Sequence, residues 1–403
     1  MAPGLLTNRD YRLLWLILVT SGLALWLRIL VTAQGLLDSE GDPWRVGLIG
    51  AIQLVVQIPA LLWGGTLADR FNRKTLMVGA HGLTALTMGG LALLATQGAL
   101  GPGAIYLAVA LSAATQMFAN PARAALAAAV LGDRLLMRGT SIDNGTGNAC
   151  AVAGPLLFAL CTTTLGLPGT FALAALLSAW AAALPLLIRA SGHGQDPAAP
   201  RGSVGQQTLE GLRYVSRHPI LPGLFLLDTG ITVVSFYREI LPVLALGMFA
   251  GGASATGLLG SANAAGAIGG AALALLLASY RAKGQLVLYA SLIYALCLFA
   301  FGLAEGLLLG AVLLAAVGAA DAVTVTVRSS TVMLTTPDAM RGRAFSLMIL
   351  AAQTANNLGT LWIGFFAGWL GARESMLLGA ILAFLATLAI GLLWPPIRAY
   401  RAP

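Results

Sequence analysis

The chain of 403 residues is 58% hydrophobic and only 9% charged, with a formal net charge of +8 and a mean hydropathy of +0.85. A soluble domain carries about 25% charged residues and needs polar surface however large its core, so this composition excludes a soluble globular protein and predicts an integral membrane one. The positive balance would suit a nucleic acid or an anionic lipid surface. Lys and Arg retained in inner loops account for it equally well, and a lipid bilayer rather than a nucleic acid is the expected partner.

The first apolar run follows Arg9 and Arg12 and has the charge pattern of a signal peptide. It is too long for a signal h-region and has no A-x-A-like cleavage site, so it reads as a first span. A helix needs roughly 20 apolar residues to cross about 30 Å. Twelve such runs occur, at 13–36, 46–66, 75–96, 103–122, 143–165, 169–189, 219–246, 254–278, 286–304, 306–329, 344–368 and 375–396. They are continuous rather than alternating, which argues against an outer-membrane barrel. Their Gly and Ala content suits close helix approach in lipid. Cys150, Cys161 and Cys297 stand singly in these runs, without disulfide or metal-like spacing.

Between the sixth and seventh runs lies ASGHGQDPAAPRGSVGQQ, a Gly-, Pro-, Ser- and Gln-rich linker, followed by the basic amphipathic stretch TLEGLRYVSRHP. The chain therefore divides into a six-helix half at 1–190, a cytoplasmic linker with its amphipathic stretch at 191–217, and a second six-helix half at 218–403. With the N-terminus inside, the outer loops hold Arg45 and Arg373, the spans hold Arg28 and Arg238, and the rest of the 23 cations fall on the inner side. Both termini are expected in the cytoplasm. A shift of 205 residues carries Arg123 onto Arg328, Asp133 onto Asp338 and Arg138 onto Arg343. These read as inner-loop charges after the fourth and tenth spans of a duplicated six-helix unit. The expected fold is all-α, with twelve transmembrane helices in two pseudo-symmetric halves and substrate held near the midplane.

Ionisable groups at membrane depth are costly and are functional candidates by default. Asp228, about ten residues into the seventh span, is the first proton-coupling candidate, because an apolar setting favours the neutral acid. A salt bridge or structural hydrogen bond is the alternative. Asp321 in the tenth span is the second; it could equally pair with Arg328 two turns later. Glu305 falls at an outer end, where solvent reaches it. Arg28 and Arg238, with the nearby aromatics Trp26 and Tyr237, are candidates for an anionic substrate, since guanidinium contacts carboxylate or phenolate oxygens bidentately. Against this, Arg28 could snorkel outward and Arg238 could pair with Glu239 or Asp228. Asn263, Asn356, Asn357 and Gln353 could line a cavity or serve as interhelical glue. His81 in the third span reads more readily as an interhelical hydrogen-bonding residue than as a titrating one.

The stretch after the second span, GGTLADRFNRK, brings Gly65, Asp69, Arg70, Arg73 and Lys74 together. It resembles the major facilitator signature G-x-L-a-D-r-x-G-r-[RK], with Asn72 where glycine is usual. The resemblance implies a gating loop that latches the halves as the transporter alternates its opening. The matching segment SYRAKGQ keeps Arg281 and Lys283 but lacks the acid, so a latch there is expected to be weaker. NRDYRLLWL, NPARAAL, EGLRYVSRHPIL, YREILPVLA and TTPDAMRGRAFSL extend the likeness over most of the chain, to the exporter branch that contains the enterobactin exporter and the macrolide efflux pumps. GTGNACAVAGP loosely resembles the antiporter motif, without the double glycine expected beyond Pro155.

No Walker A loop, metal-ligand cluster or nucleophile elbow is found, so neither an enzyme nor a bound cofactor is expected, and the proton gradient supplies the driving force. The resemblance implies a monomeric inner-membrane antiporter that exports a small organic molecule, with an anionic siderophore as the leading class. A multidrug or macrolide pump is the runner-up, followed by a lysophospholipid flippase. A membrane sensor or scaffold that transports nothing is the alternative of a different class.

Overall fold

The computed structural model describes residue 5 and residues 7–70, 72–192 and 204–402; the side chains at 61–70, 133, 134, 204–208 and 339 fall outside the description. Among the described residues the chain is helical, without strands: α1 Arg9–Glu40, α2 Pro43–Arg70, α3 Arg73–Thr96, α4 Pro102–Ala183, α5 Val204–Arg217, α6 Leu221–Ser235, α7 Leu241–Phe249, α8 Ala253–Leu276, α9 Lys283–Leu303, α10 Leu307–Thr335, α11 Asp338–Leu370, α12 Ala372–Leu393 and α13 Pro395–Ala399. Short 3-10 turns follow α4 and precede α7. Nine helical segments among the described residues are long and apolar enough to cross a membrane. Adding α2 and α11, and dividing Leu135–Leu187 at Gly166, gives the twelve spans.

Two compact units emerge. One comprises residues 1–41 and 52–204, and the other residues 42–51 and 205–403. In the first unit, the Asn8 side chain accepts from the N–H groups of Asp10 (3.1 Å) and Tyr11 (3.3 Å) and so starts α1. Gly41, at φ 69°, ends it in the left-handed region. The Asp10 carboxylate accepts from the backbone N–H of Arg189 (3.2 Å) and Ala190 (2.8 Å), tying the entry of α1 to the exit of the sixth span. Between these ends Leu14, Ile17, Met77, Leu126, Ala181 and Ile188 form a buried apolar cluster. The fourth, fifth and sixth spans follow one another within α4, whose backbone leaves the helical region at Gly132 (φ 60°, ψ 173°) and Gly166 (φ 69°, ψ −176°). Both values lie in a region reserved essentially for glycine.

In the second unit, small residues set the helix spacing. A Cβ at Gly266 or Gly270 of α8 would overlap the Ala315 or Ala319 carbonyl of α10, and one at Gly318 would overlap the Asn263 carbonyl. A Cβ at Gly359 of α11 would lie 2.6 Å from both Phe236 and the Thr232 carbonyl. Such crossings bring backbones into van der Waals contact, the main attraction between helices in lipid. The amphipathic stretch is α5, whose Val215 joins Leu221, Val332, Ala344 and Met348 in a buried cluster. Glu210 forms an ion pair with Arg343, and Tyr214 donates to the Thr335 carbonyl at 3.4 Å.

Candidate functional site

The seventh span is broken at membrane depth. α6 stops at Ser235, Phe236 is extended (φ −77°, ψ 115°), and a 3-10 turn at Arg238–Ile240 leads into α7. Pro242 supplies the reason, because it has no N–H for the carbonyl four residues back and its ring crowds that turn. Irregular backbone at this depth is tolerated where it is buried in protein or lines a cavity. Here it borders a cavity of about 230 Å³ with Asp228, Thr232, Tyr237, Arg238, Asn263, Tyr294, Asp321, Arg328 and Asn356 in its wall. The chain at the break is satisfied by side chains: Tyr294 lies 3.0 Å from the Ser235 hydroxyl and donates to the Ser235 carbonyl at 3.5 Å.

Within this wall the charged groups separate by environment. Asp228 of α6 forms an ion pair with Arg328 of α10, with side-chain exposures of 17% and 8%. Asp321, two turns earlier on α10, makes no ion pair among the described residues, and it is exposed at the cavity wall. The expected alternative pairing of Asp321 with Arg328 is therefore replaced by Asp228–Arg328. Arg238 is exposed, and its guanidinium carbon lies 5.6 Å from the Phe236 ring centroid. Glu239 accepts from the Thr360 hydroxyl at 3.3 Å. Asn263 donates to the Tyr237 hydroxyl (2.7 Å) and to the Leu314 carbonyl (3.1 Å), so it both lines the cavity and joins α8 to α10. Asn356 donates to Gln353 at 3.4 Å; of the two, Asn356 reaches the cavity wall.

The first unit has its own polar cavity, of about 300 Å³, whose wall includes Trp26, Arg28, His81, Gln116, Asn120 and Arg123. Arg28 is buried at 9% exposure, which rules out the outward snorkelling weighed above. Trp26 packs over Gly154, where a Cβ would overlap the Trp26 Cβ. Arg123 pairs with Asp143 at 2.8 Å, and Asp143 also accepts from the Tyr11 hydroxyl at 3.1 Å.

Other candidates fall elsewhere. Arg123 and Arg328, expected as inner-loop charges, lie inside α4 and α10 as cavity residues. Their counterparts fit the expected position better: Asp338 pairs with Arg341 at 2.7 Å, Arg343 with Glu210, and Arg138 is exposed. The Asp133 side chain lies outside the described residues. So do the side chains of Asp69 and Arg70 of the expected gating loop, whose backbone, Gly65 included, continues α2. Beyond them, Arg73 donates to the Ala125 carbonyl (3.5 Å) and Lys74 to that of Ile188 (2.9 Å). Asn72 stands where the resemblance has glycine, and its side chain caps α3 by accepting from the Lys74 N–H at 2.9 Å. Sequence reasoning missed the break in the seventh span, Asp143 with Tyr11, and the lining residues Gln116, Asn120, Thr232 and Tyr294. Pro242 was the one local signal for the break.

Long apolar helices around buried polar cavities, one of them interrupted where it meets its cavity, define a multi-pass membrane transporter. Residues 14–348 match the Major Facilitator Superfamily, and the chain belongs to that superfamily. It is 29% identical over 363 residues to the enterobactin exporter EntS of Citrobacter koseri, covering 89% of this chain and 86% of that one. To EntS of Escherichia coli it is 30% identical over 353 residues, covering 87% and 82%. In structure it is similar to the nucleoside transporter NupG, with a TM-score of 0.74, 15% identity and coverage of 94% and 98%. It is also similar to a bacterial homologue of the human lysosomal transporter Spinster, with a TM-score of 0.73, 15% identity and coverage of 99% of both chains. At these identities the structural likeness speaks to the fold, which is the major facilitator fold.

Proposed function

We propose that this chain exports an anionic siderophore across the cytoplasmic membrane in exchange for protons, with both termini in the cytoplasm. One observation carries the reading: Asp321 opens onto a cavity wall that also holds Arg238 and Arg328, and has no ion-pair partner among the described residues. A carboxylate in that position can accept a proton or the hydroxyl donors of a substrate, and each excludes the other. Such exclusion is what antiport requires. The arginines meet the acidic oxygens of the same molecule. Asp228, held by Arg328, has a charge partner and is the weaker proton carrier of the two. The names of the EntS relatives supply the substrate class.

The test is transport of enterobactin in proteoliposomes under an imposed pH gradient, with internal pH followed by a dye. Wild type is expected to couple substrate movement to proton movement. Asp321→Asn keeps shape but cannot titrate, so it is expected to bind enterobactin and lose gradient-driven transport. Normal gradient-driven transport by this variant would remove Asp321 from the mechanism. Preference of the wild type for cationic dyes over enterobactin would overturn the anionic reading in favour of a multidrug pump.

A further inference from the structure

The Asp228–Arg328 pair leaves part of the guanidinium unused. Arg328 is 7% exposed, and its Nη1 meets the Asp228 carboxylate. Its Nε is buried and has no hydrogen-bond acceptor among the described residues. A buried donor without a partner is costly, because the water it lost has not been replaced. Arginine presents its donors as a rigid fork with two usable edges, and here one edge is occupied while the other waits. The same side chain belongs to the walls of two adjoining cavities, the second a narrower one of about 30 Å³ bounded by Asp228, Tyr294 and Asp321.

We infer that Arg328 is a substrate ligand of the second unit, its free edge receiving a carboxylate or phenolate oxygen, and that Asp228 is a positioning residue that holds the guanidinium in place. The inference rests on the proposed export of an acidic molecule and assigns the group that meets its acid. It accounts for both halves of the observation. The pair with Asp228 keeps a charge tolerable at this depth, and the unmatched donor is completed only by a ligand. Arg238 and Asn356, in the same wall, are within the same lining and can hold the remainder of the molecule.

Binding to the purified full chain tests it, read by quenching of tryptophan fluorescence with enterobactin and with salicylate, a small molecule carrying both acidic groups. Arg328→Lys keeps the positive charge beside Asp228 but removes the fork, and is expected to weaken both probes by about tenfold, the worth of a hydrogen bond to a charged group. Removing one partner of a buried ion pair can unfold a protein, whereas removing both together is often neutral. The double variant Asp228→Asn/Arg328→Gln is therefore expected to fold as wild type does and to lose affinity at least as far. A direct readout is the Arg328 Nε–H resonance, which is expected to shift on addition of either probe. Wild-type affinity in a folded Arg328→Lys or double variant would overturn the inference while leaving the export reading intact. A wild-type chain that binds neither probe would remove the export reading and this inference with it.

Discussion

His218 turns a ring nitrogen onto the backbone just ahead of the seventh span. Its Nδ1 accepts from the N–H groups of Ile220 (3.2 Å) and Leu221 (3.3 Å), a task only the unprotonated nitrogen can perform. Burial pushes its pKa below the ordinary histidine value, and the backbone hydrogen bond with Thr335 opposes that shift. The folded chain thus binds this proton less readily than the unfolded one. Stability from His218 is fully present above the unfolded value of about 6.5 and is lost as pH falls through the lower folded value. The thermal midpoint is therefore expected to decline on acidification below about pH 6.5, with hydrogen bonds worth about 1 kcal/mol at stake. His218→Asn supplies a short acceptor that does not titrate, so it should flatten that decline. An unchanged pH dependence in this variant would show that other groups govern it.

At the scale of elements, the crossing of α8 and α10 fixes where Asn263 and Asp321 stand. Gly270→Ala would press a methyl group into the Ala319 carbonyl. Backbone cannot yield as a flexible side chain does, so a loss of about 1–3 kcal/mol is expected, with weaker enterobactin binding as α10 is displaced. The neighbouring Gly269 has nothing within 4 Å of its Cβ position, and Gly269→Ala is expected to leave stability unchanged or slightly higher. Equal effects from the two, measured by thermal unfolding in detergent, would remove the crossing from the argument. α10 also shows why Arg328 was misplaced by sequence reasoning. A cation at the end of an apolar run reads as a loop flank. However, the hydroxyls of Thr326, Ser330, Thr331 and Thr335 satisfy themselves with hydrogen bonds of 2.7–2.8 Å to carbonyls four residues back, and the helix runs past Arg328 to Thr335. The break in the seventh span was hidden for the opposite reason. Residues 219–246 are predominantly apolar despite Asp228, Arg238 and Glu239, and hydropathy does not register the hydrogen bond that Pro242 cannot donate.

For the molecule as a whole, length and composition sufficed for the spans, since crossing a bilayer leaves few backbone options. The third span was read at 75–96 and is Arg73–Thr96; the ninth was read at 286–304 and is Lys283–Leu303. Which charged groups share a cavity was not legible, because it depends on helix rotation, and a single sequence does not report that. The cation asymmetry carries a prediction about orientation. In a chain with Cys150, Cys161 and Cys297 replaced by alanine, a cysteine at Glu305 is expected to react with an impermeant maleimide added outside intact cells. One at Arg281 is expected to react only after permeabilisation. Both native side chains are exposed. The reverse pattern would invert the proposed topology.

The tight breaks at Gly132 and Gly166 have a consequence for proteolysis. A protease must draw roughly extended chain into its cleft, so helix has to unwind locally before it is cut. Between Pro102 and Ala183 the helical backbone is interrupted at Gly132 and Gly166, so little chain there is free of helix. Arg123 is further held by its pair with Asp143. Under native conditions trypsin is therefore expected to leave this whole stretch as one fragment, with cleavage starting outside it. Gly166→Ala would force a side chain into backbone geometry that only glycine adopts readily, and early fragments ending within α4 are expected from that variant by mass spectrometry. Identical digestion of variant and wild type would mean that the kink can be made without glycine.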